Sequence, residues 1–167
     1  LELPSANVIF TLSHTHAAPP LLTEASDASM QGSEMIPPWV DSVYEAAVRC
    51  AREAWSSEFE GIIDWDTGRC SLAANRDFRD PEPERDRFLC GFNPSGNPDD
   101  TVVVGRITDV NVLVRGTLVN YACHPTTLAW DNTAISPDYI GAMRETIQEA
   151  TGAPAIFLFG CCGDLGP

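Results

Sequence analysis

The sequence predicts an α/β layered domain in which a mixed, largely buried sheet is flanked by helices. Three observations carry this. Apolar runs of strand length, "NVIFTLS" (7–13) and "APAIFLFG" (153–160), lie near the two ends, and continuous runs of this kind suit strands covered on both faces. Two segments between them repeat apolar residues at helical spacing. Strand-like runs in the middle lie close enough to form hairpins, which makes the sheet mixed rather than purely parallel.

Taken in order, "NVIFTLS" joins β-branched and aromatic residues and predicts a buried strand. Residues 17–38, rich in Ala, Pro and Ser without a period, predict a long loop. Pro37 and Pro38 then open a helix, with Val40, Val43, Tyr44, Ala47, Val48, Ala51 and Trp55 on one stripe and Asp41, Glu45, Arg49 and Arg52 between them. Residues 59–72 predict a strand, a turn at Asp66-Thr67-Gly68 and a return. Residues 73–100, heavy in Pro, Asp, Asn and Gly, predict turns only. "TVVVGRITD" and "NVLVRGTLVNYACHP" predict hairpin strands. In "SPDYIGAMRETIQEATGAP", Ser136 can cap, Pro137 suits the first turn and Asp138 complements the positive helix end. Ile140, Met143, Ile147 and Ala150 form the stripe, and Gly152 and Pro154 end the helix. The motif-like close "GCCGDLGP" (160–167) leads us to expect that residues 1–167 form a single domain belonging to a larger catalytic domain.

Charge narrows the function classes. The net charge is −14, and all ten bases are arginine. Such a chain repels nucleic acid and anionic membrane surfaces at long range, and without lysine it offers no Schiff-base chemistry. No apolar run approaches the length of a membrane span. The acidic balance suits a cytoplasmic or a secreted protein. Six cysteines lack the regular spacing of a disulfide scaffold or a zinc knuckle, so buried free thiols are expected.

The chain has three histidines, and each follows an apolar strand-like run: His14 and His16 close the first, and His124 stands before Pro125. Side chains two apart on extended backbone point the same way, and Pro125 keeps His124 out of helical angles. In open α/β sheets, ligands gather at strand ends. Imidazoles from separate strands meet the demand of zinc for neutral nitrogen donors. Histidines satisfied by solvent and backbone are the structural alternative. Arg76, in the polar loop "NRD" (75–77), suits a carboxylate or oxyanion clamp. Cys161 or Cys162 could act as a thiolate nucleophile beside a histidine base. Asp164 sits between glycines and equally suits a tight turn.

Together these segments resemble the neutral/alkaline, non-lysosomal ceramidase family. "NVIFTLSHTHAAP" is similar to its "HTHSGP" strand, "AANRD" to its "NRS" loop, and "NYACHPTTL" to the strand with its second metal histidine. "ISPDYIGAM" resembles its "SDxxG" helix start, and "FGCCGDLGP" its "GDVSP". The resemblance implies a zinc-dependent amidohydrolase acting on an N-acyl sphingosine-like lipid amide or an ester. It implies His14 and His124 as zinc ligands, His16 as a neighbouring acid or hydrogen-bond donor, and Arg76 as a substrate or oxyanion contact. The family completes its zinc shell with a Glu and a Tyr, expected beyond residue 167. Where the family has a serine in "GDVSP", this chain has Gly166. The alternatives are a Cys-nucleophile hydrolase using Cys161 or Cys162 and a non-catalytic ligand-binding relative.

Overall fold

The computed structural model describes residues 4–21, 31–82 and 84–167. The chain divides into two compact units, Leu1–Ile9 with Ala18–Glu60, and Phe10–Ala17 with Gly61–Pro167.

In the first unit, a 3-10 turn at Ser33–Met35 runs into helix α1, Ile36–Ser56, with proline in its first turn as expected. The missing proline N–H groups fall where a helix has unpaired donors anyway. Ile36 and Val40 are buried, whereas Tyr44, Val48 and Trp55 on the same stripe are exposed. Of the long loop expected over 17–38, residues 22–30 lie outside the described residues.

The second unit holds the site. Its main sheet has the order β1-β5-β6-β7, built from β1 (Gly61–Arg69), β5 (Thr101–Asp109), β6 (Val114–Tyr121) and β7 (Ala155–Phe159). The β1-β5 and β5-β6 pairs are antiparallel, and the β6-β7 pair is parallel. The sheet is mixed, as expected. The hairpin between β5 and β6 turns on Asp109, whose Oδ1 accepts from the Asn111 and Leu113 amides at 2.8 and 3.1 Å. Helix α2, Tyr139–Thr151, crosses between the parallel pair β6 and β7 and packs on β7. Asp138 is its N-cap, in place of the expected Ser136, and Gly152 ends it at φ 69°.

Three expectations are corrected. Residues 7–13 form no strand: a short 3-10 turn, Ser5–Asn7, is followed by irregular chain with Val8, Ile9, Phe10 and Leu12 exposed. An apolar run makes a strand only where a neighbouring edge supplies ladder hydrogen bonds, and here none of these residues is in a ladder. The turn expected at Asp66-Thr67-Gly68 is also absent. β1 runs straight through it, setting those residues opposite Val104, Val103 and Val102, because β5 offers an uninterrupted partner that outweighs local turn preference. Gly105 of β5 admits the Trp65 ring, which a Cβ there would meet at 2.6 Å. Finally, the stretch 73–100 contains three short strands, β2 (Ala74–Asn75), β3 (Asp77–Arg79) and β4 (Phe88–Cys90). β3 pairs with β4, and β2 pairs with β8 (Leu165–Gly166).

Burial is uneven. All nine residues of β1 are exposed. The core gathers at β6, β7 and α2, around Val119, Tyr121, Ile140, Phe157, Cys162 and Leu165. Tyr121 OH donates to the Cys70 carbonyl and accepts from the Ala73 amide, both at 2.9 Å. Tyr139 OH donates to the Cys123 carbonyl at 2.8 Å. Burial raises both phenols above their ordinary range. These bonds hold the strand end that leads into His124.

Candidate metal and hydrolytic site

His124 follows β6 by three residues and is 7% exposed. Its amide donates to the Leu165 carbonyl at 3.3 Å, tying it to β8. Its Nδ1 lies 2.8 Å from the Cys162 carbonyl oxygen. A carbonyl only accepts, so Nδ1 carries the proton and Nε2 keeps its lone pair. Arg76 Nη2 donates to that Nε2 at 3.3 Å. One ring nitrogen donating to a carbonyl is the arrangement that orients a metal-binding imidazole and leaves the other nitrogen unprotonated; here that lone pair is taken up by Arg76.

His14 and His16 reach the same place from residues 110 and 108 earlier in the chain. His14 adopts φ 61°, a left-handed turn that reverses the extended backbone expected there. Ring centroids stand 4.8 Å apart for His14–His124, 5.1 Å for His14–His16 and 5.3 Å for His16–His124. One nitrogen from each ring lies within 4.8 Å of the others, the one cluster of possible metal donors among the described residues. Nitrogens bound to a single zinc at its usual bond length sit about 3.3 Å apart. The rings therefore fit an ion after a small inward adjustment. His14 also stacks on Phe159 at 5.0 Å with a 14° tilt. Partial burial, then the positive charge that His124, His16 and Arg76 would add, hold His14 below its ordinary value. The neutral form, the one that binds metal, is favoured.

Arg76 follows β2. Its amide donates to the Asp164 carbonyl at 2.8 Å and its Nε to the Gly163 carbonyl at 3.0 Å. Among the described ion pairs, no carboxylate holds its guanidinium. Buried Asn75 supports it by donating to Asp164 Oδ2 at 3.2 Å and accepting from Asn93 at 3.1 Å. The motif "GDLG" thus acts as a backbone support for Arg76. A cavity of about 590 Å³ opens beside this cluster, lined by His16 and Arg76 but by neither His14 nor His124. Phe92, Leu128 and Trp130 make part of its wall apolar.

The cysteines are all free. Cys123 and Cys162 are buried as expected, and Cys50, Cys90 and Cys161 are exposed. Cys162 Sγ lies 3.0 Å from His124 Nδ1, a neighbour that spacing alone did not show. Burial raises its thiol, with Arg76 opposing, and burial pushes Cys123 up to about 11. A buried thiol facing a protonated Nδ1 is a poor nucleophile. Gly166 packs near Arg76, and a Cβ there would meet Arg76 Cδ at an ordinary 3.5 Å.

The second unit thus joins a mixed α/β fold to three clustered imidazoles and a guanidinium held by a backbone carbonyl and an imidazole. Among solved structures the chain is similar to the neutral ceramidase from Pseudomonas aeruginosa, at 20% identity and a TM-score of 0.59, over 77% of this chain and 20% of that one. It is likewise similar to a ceramidase complexed with C2, at 20% identity and a TM-score of 0.61, with the same coverages. The chain therefore has the neutral-ceramidase fold over the matched part, and spans about one fifth of the length of those structures. No protein-family model and no curated protein sequence matches it.

Proposed function

We propose that residues 1–167 are the metal-binding part of a zinc-dependent, ceramidase-like amidohydrolase, one piece of a larger catalytic domain, acting on an N-acyl sphingosine-like amide or a related ester. The observation that carries this is the convergence of His14, His16 and His124, with Nε2 of His124 unprotonated, on a fold shared with ceramidases. His14 and His124 hold the ion. Bound zinc supplies Lewis acidity toward a carbonyl and acidifies water.

The rest of the work falls to the chain. His16, which faces the cavity, moves a proton between the attacking water and the leaving amine. Arg76 gives up its bond to His124 Nε2 when that nitrogen coordinates, and its guanidinium then stabilises the charge developing on the carbonyl oxygen. The apolar wall at Phe92, Leu128 and Trp130 receives hydrocarbon. Among the described residues no helix is long and apolar enough to cross a membrane, and the substrate is taken as a small-molecule or lipid amide, with no role for nucleic acid.

The test is hydrolysis of a fluorescent N-acyl sphingosine by the full-length protein with two treatments. A chelator should abolish turnover, zinc should restore it, and iodoacetamide should leave it intact. Loss with iodoacetamide but not with chelator would transfer the reaction to a cysteine. Zinc binding without turnover on acyl amides and esters would mark a non-catalytic relative.

A further inference from the structure

The three imidazoles come from two loops far apart in sequence, and a third segment touches both. Ser136 receives the Thr15 hydroxyl on its carbonyl at 2.8 Å, and its own amide donates to the Ala17 carbonyl at 2.9 Å. These bonds flank His16 on either side. Two residues on, the buried Asp138 carboxylate holds the other loop. Its Oδ1 accepts from Thr127 Oγ1 at 2.7 Å and its Oδ2 from the Leu128 amide at 3.4 Å. Ser136 and Asp138 are also joined, since the Asp138 amide donates to Ser136 Oγ at 3.0 Å. Besides the contacts of their rings, the loops are joined by a hydrogen bond from the His16 amide to the Pro125 carbonyl at 3.4 Å.

Asp138 reaches its place in an unfavourable backbone conformation, φ 56° and ψ −155°, a region that suits glycine and that other residues occupy only when their surroundings impose it. Capping alone does not require this. Oδ1 also accepts from the Tyr139 amide at 2.7 Å, but a serine or aspartate cap ordinarily works from extended backbone. The strained conformation lets one carboxylate cap α2 and hold the His124 loop together.

We propose that Ser136–Asp138 is a bracket that sets the spacing of the two histidine-bearing loops, with Asp138 as its positioning residue. Asp138 also lines the cavity wall that includes Thr126, Leu128 and Trp130, so the same carboxylate fixes the wall and the imidazole beside it. Thr15, the residue between the paired histidines, acquires a role as the bracket's attachment on the other side. The proposal rests on the metal-site reading for its consequence, not for its geometry.

Asp138→Gly in the full-length protein tests it, because glycine accepts the backbone conformation while deleting the carboxylate. The expected result is a folded protein with about tenfold faster amide hydrogen exchange in both 15–17 and 126–129, and zinc affinity lower by roughly 10- to 100-fold, as for other residues that orient metal ligands. Asp138→Asn, which keeps an oxygen for Thr127 and Tyr139, should restore most of the affinity. Thr15→Val breaks the bracket from the far side and should speed exchange in the same segments, which keeps the proposal testable if the glycine variant folds poorly. Wild-type exchange in both loops, or faster exchange confined to 126–129, overturns the bracket. If wild-type protein binds no zinc, the metal reading falls, and the exchange result still decides the bracket.

Discussion

The two halves of the site are built differently. His124 stands just beyond the end of a ladder-bonded strand, 7% exposed, with its amide and both ring nitrogens bonded. His14 and His16 are exposed and sit on irregular chain, held by the bonds of Thr15, His16 and Ala17 to Ser136 and Pro125. One imidazole is buried in the core; the other two stand on exposed chain held by long-range bonds, with His14 also stacked on Phe159. The contrast teaches that stability and metal binding should separate on one side of the site and not on the other.

The sharpest break follows from removing each ligand. His124→Ala should abolish zinc binding and hydrolysis, and also destabilise the fold by about 1–3 kcal/mol, because it empties a buried position and removes one of the two donors to the Cys162 carbonyl, the Leu165 amide remaining. His14→Ala should abolish zinc binding just as fully, yet stay within about 0.5 kcal/mol of wild type, as exposed substitutions do. Urea unfolding of the metal-free proteins separates the two; equal destabilisation would erase the distinction between the halves.

A second effect sets His16 against its neighbour. His16→Ala should retain zinc and lose roughly 10²–10⁴ in kcat, the usual worth of a positioned acid or base. If zinc leaves with His16, then all three imidazoles are ligands and the proton must move elsewhere. Arg76→Lys comes next, with a loss of about 10²–10³ in kcat. One ammonium cannot replace a planar fork that reaches the Gly163 carbonyl and the site together. Near-wild-type turnover in this variant would remove Arg76 from the chemistry. The smallest effect on turnover is expected at buried Gly166, where Gly166→Ser should cost about 1 kcal/mol or less of stability, since a Cβ meets only Arg76 Cδ, at an ordinary 3.5 Å.

What the sequence made legible follows the same divide. Both helices, the β5-β6 hairpin and β7 were readable because periodicity, caps and alternation are local. The strand expected at 7–13 was not, since the run "NVIFTLS" carries the right composition but whether it pairs depends on a neighbouring edge. The turn at Asp66-Thr67-Gly68 was misread for the converse reason: β5 supplied an edge that local preference could not foresee. At the site, the three histidines do cluster, but placement at a strand end holds only for His124, since no strand precedes His14 and His16 among the described residues. The Cys162 carbonyl that fixes the His124 tautomer was not, because a backbone acceptor 38 residues away leaves no mark on residue type. Asp138 was readable only as a charge at a helix start; its hold on Thr127 needs the fold. Asn75, beside Arg76, carries no mark of its role in the sequence, because its burial and its bonds to Asp164 and Asn93 come from the fold.

Zinc stoichiometry in the full-length protein and its histidine variants tests the central claim most directly. The account predicts one zinc per chain in the wild type and in His16→Ala, and none in His14→Ala or His124→Ala. Zinc retained after loss of either His14 or His124, or absent from the wild type under zinc-replete conditions, would contradict it.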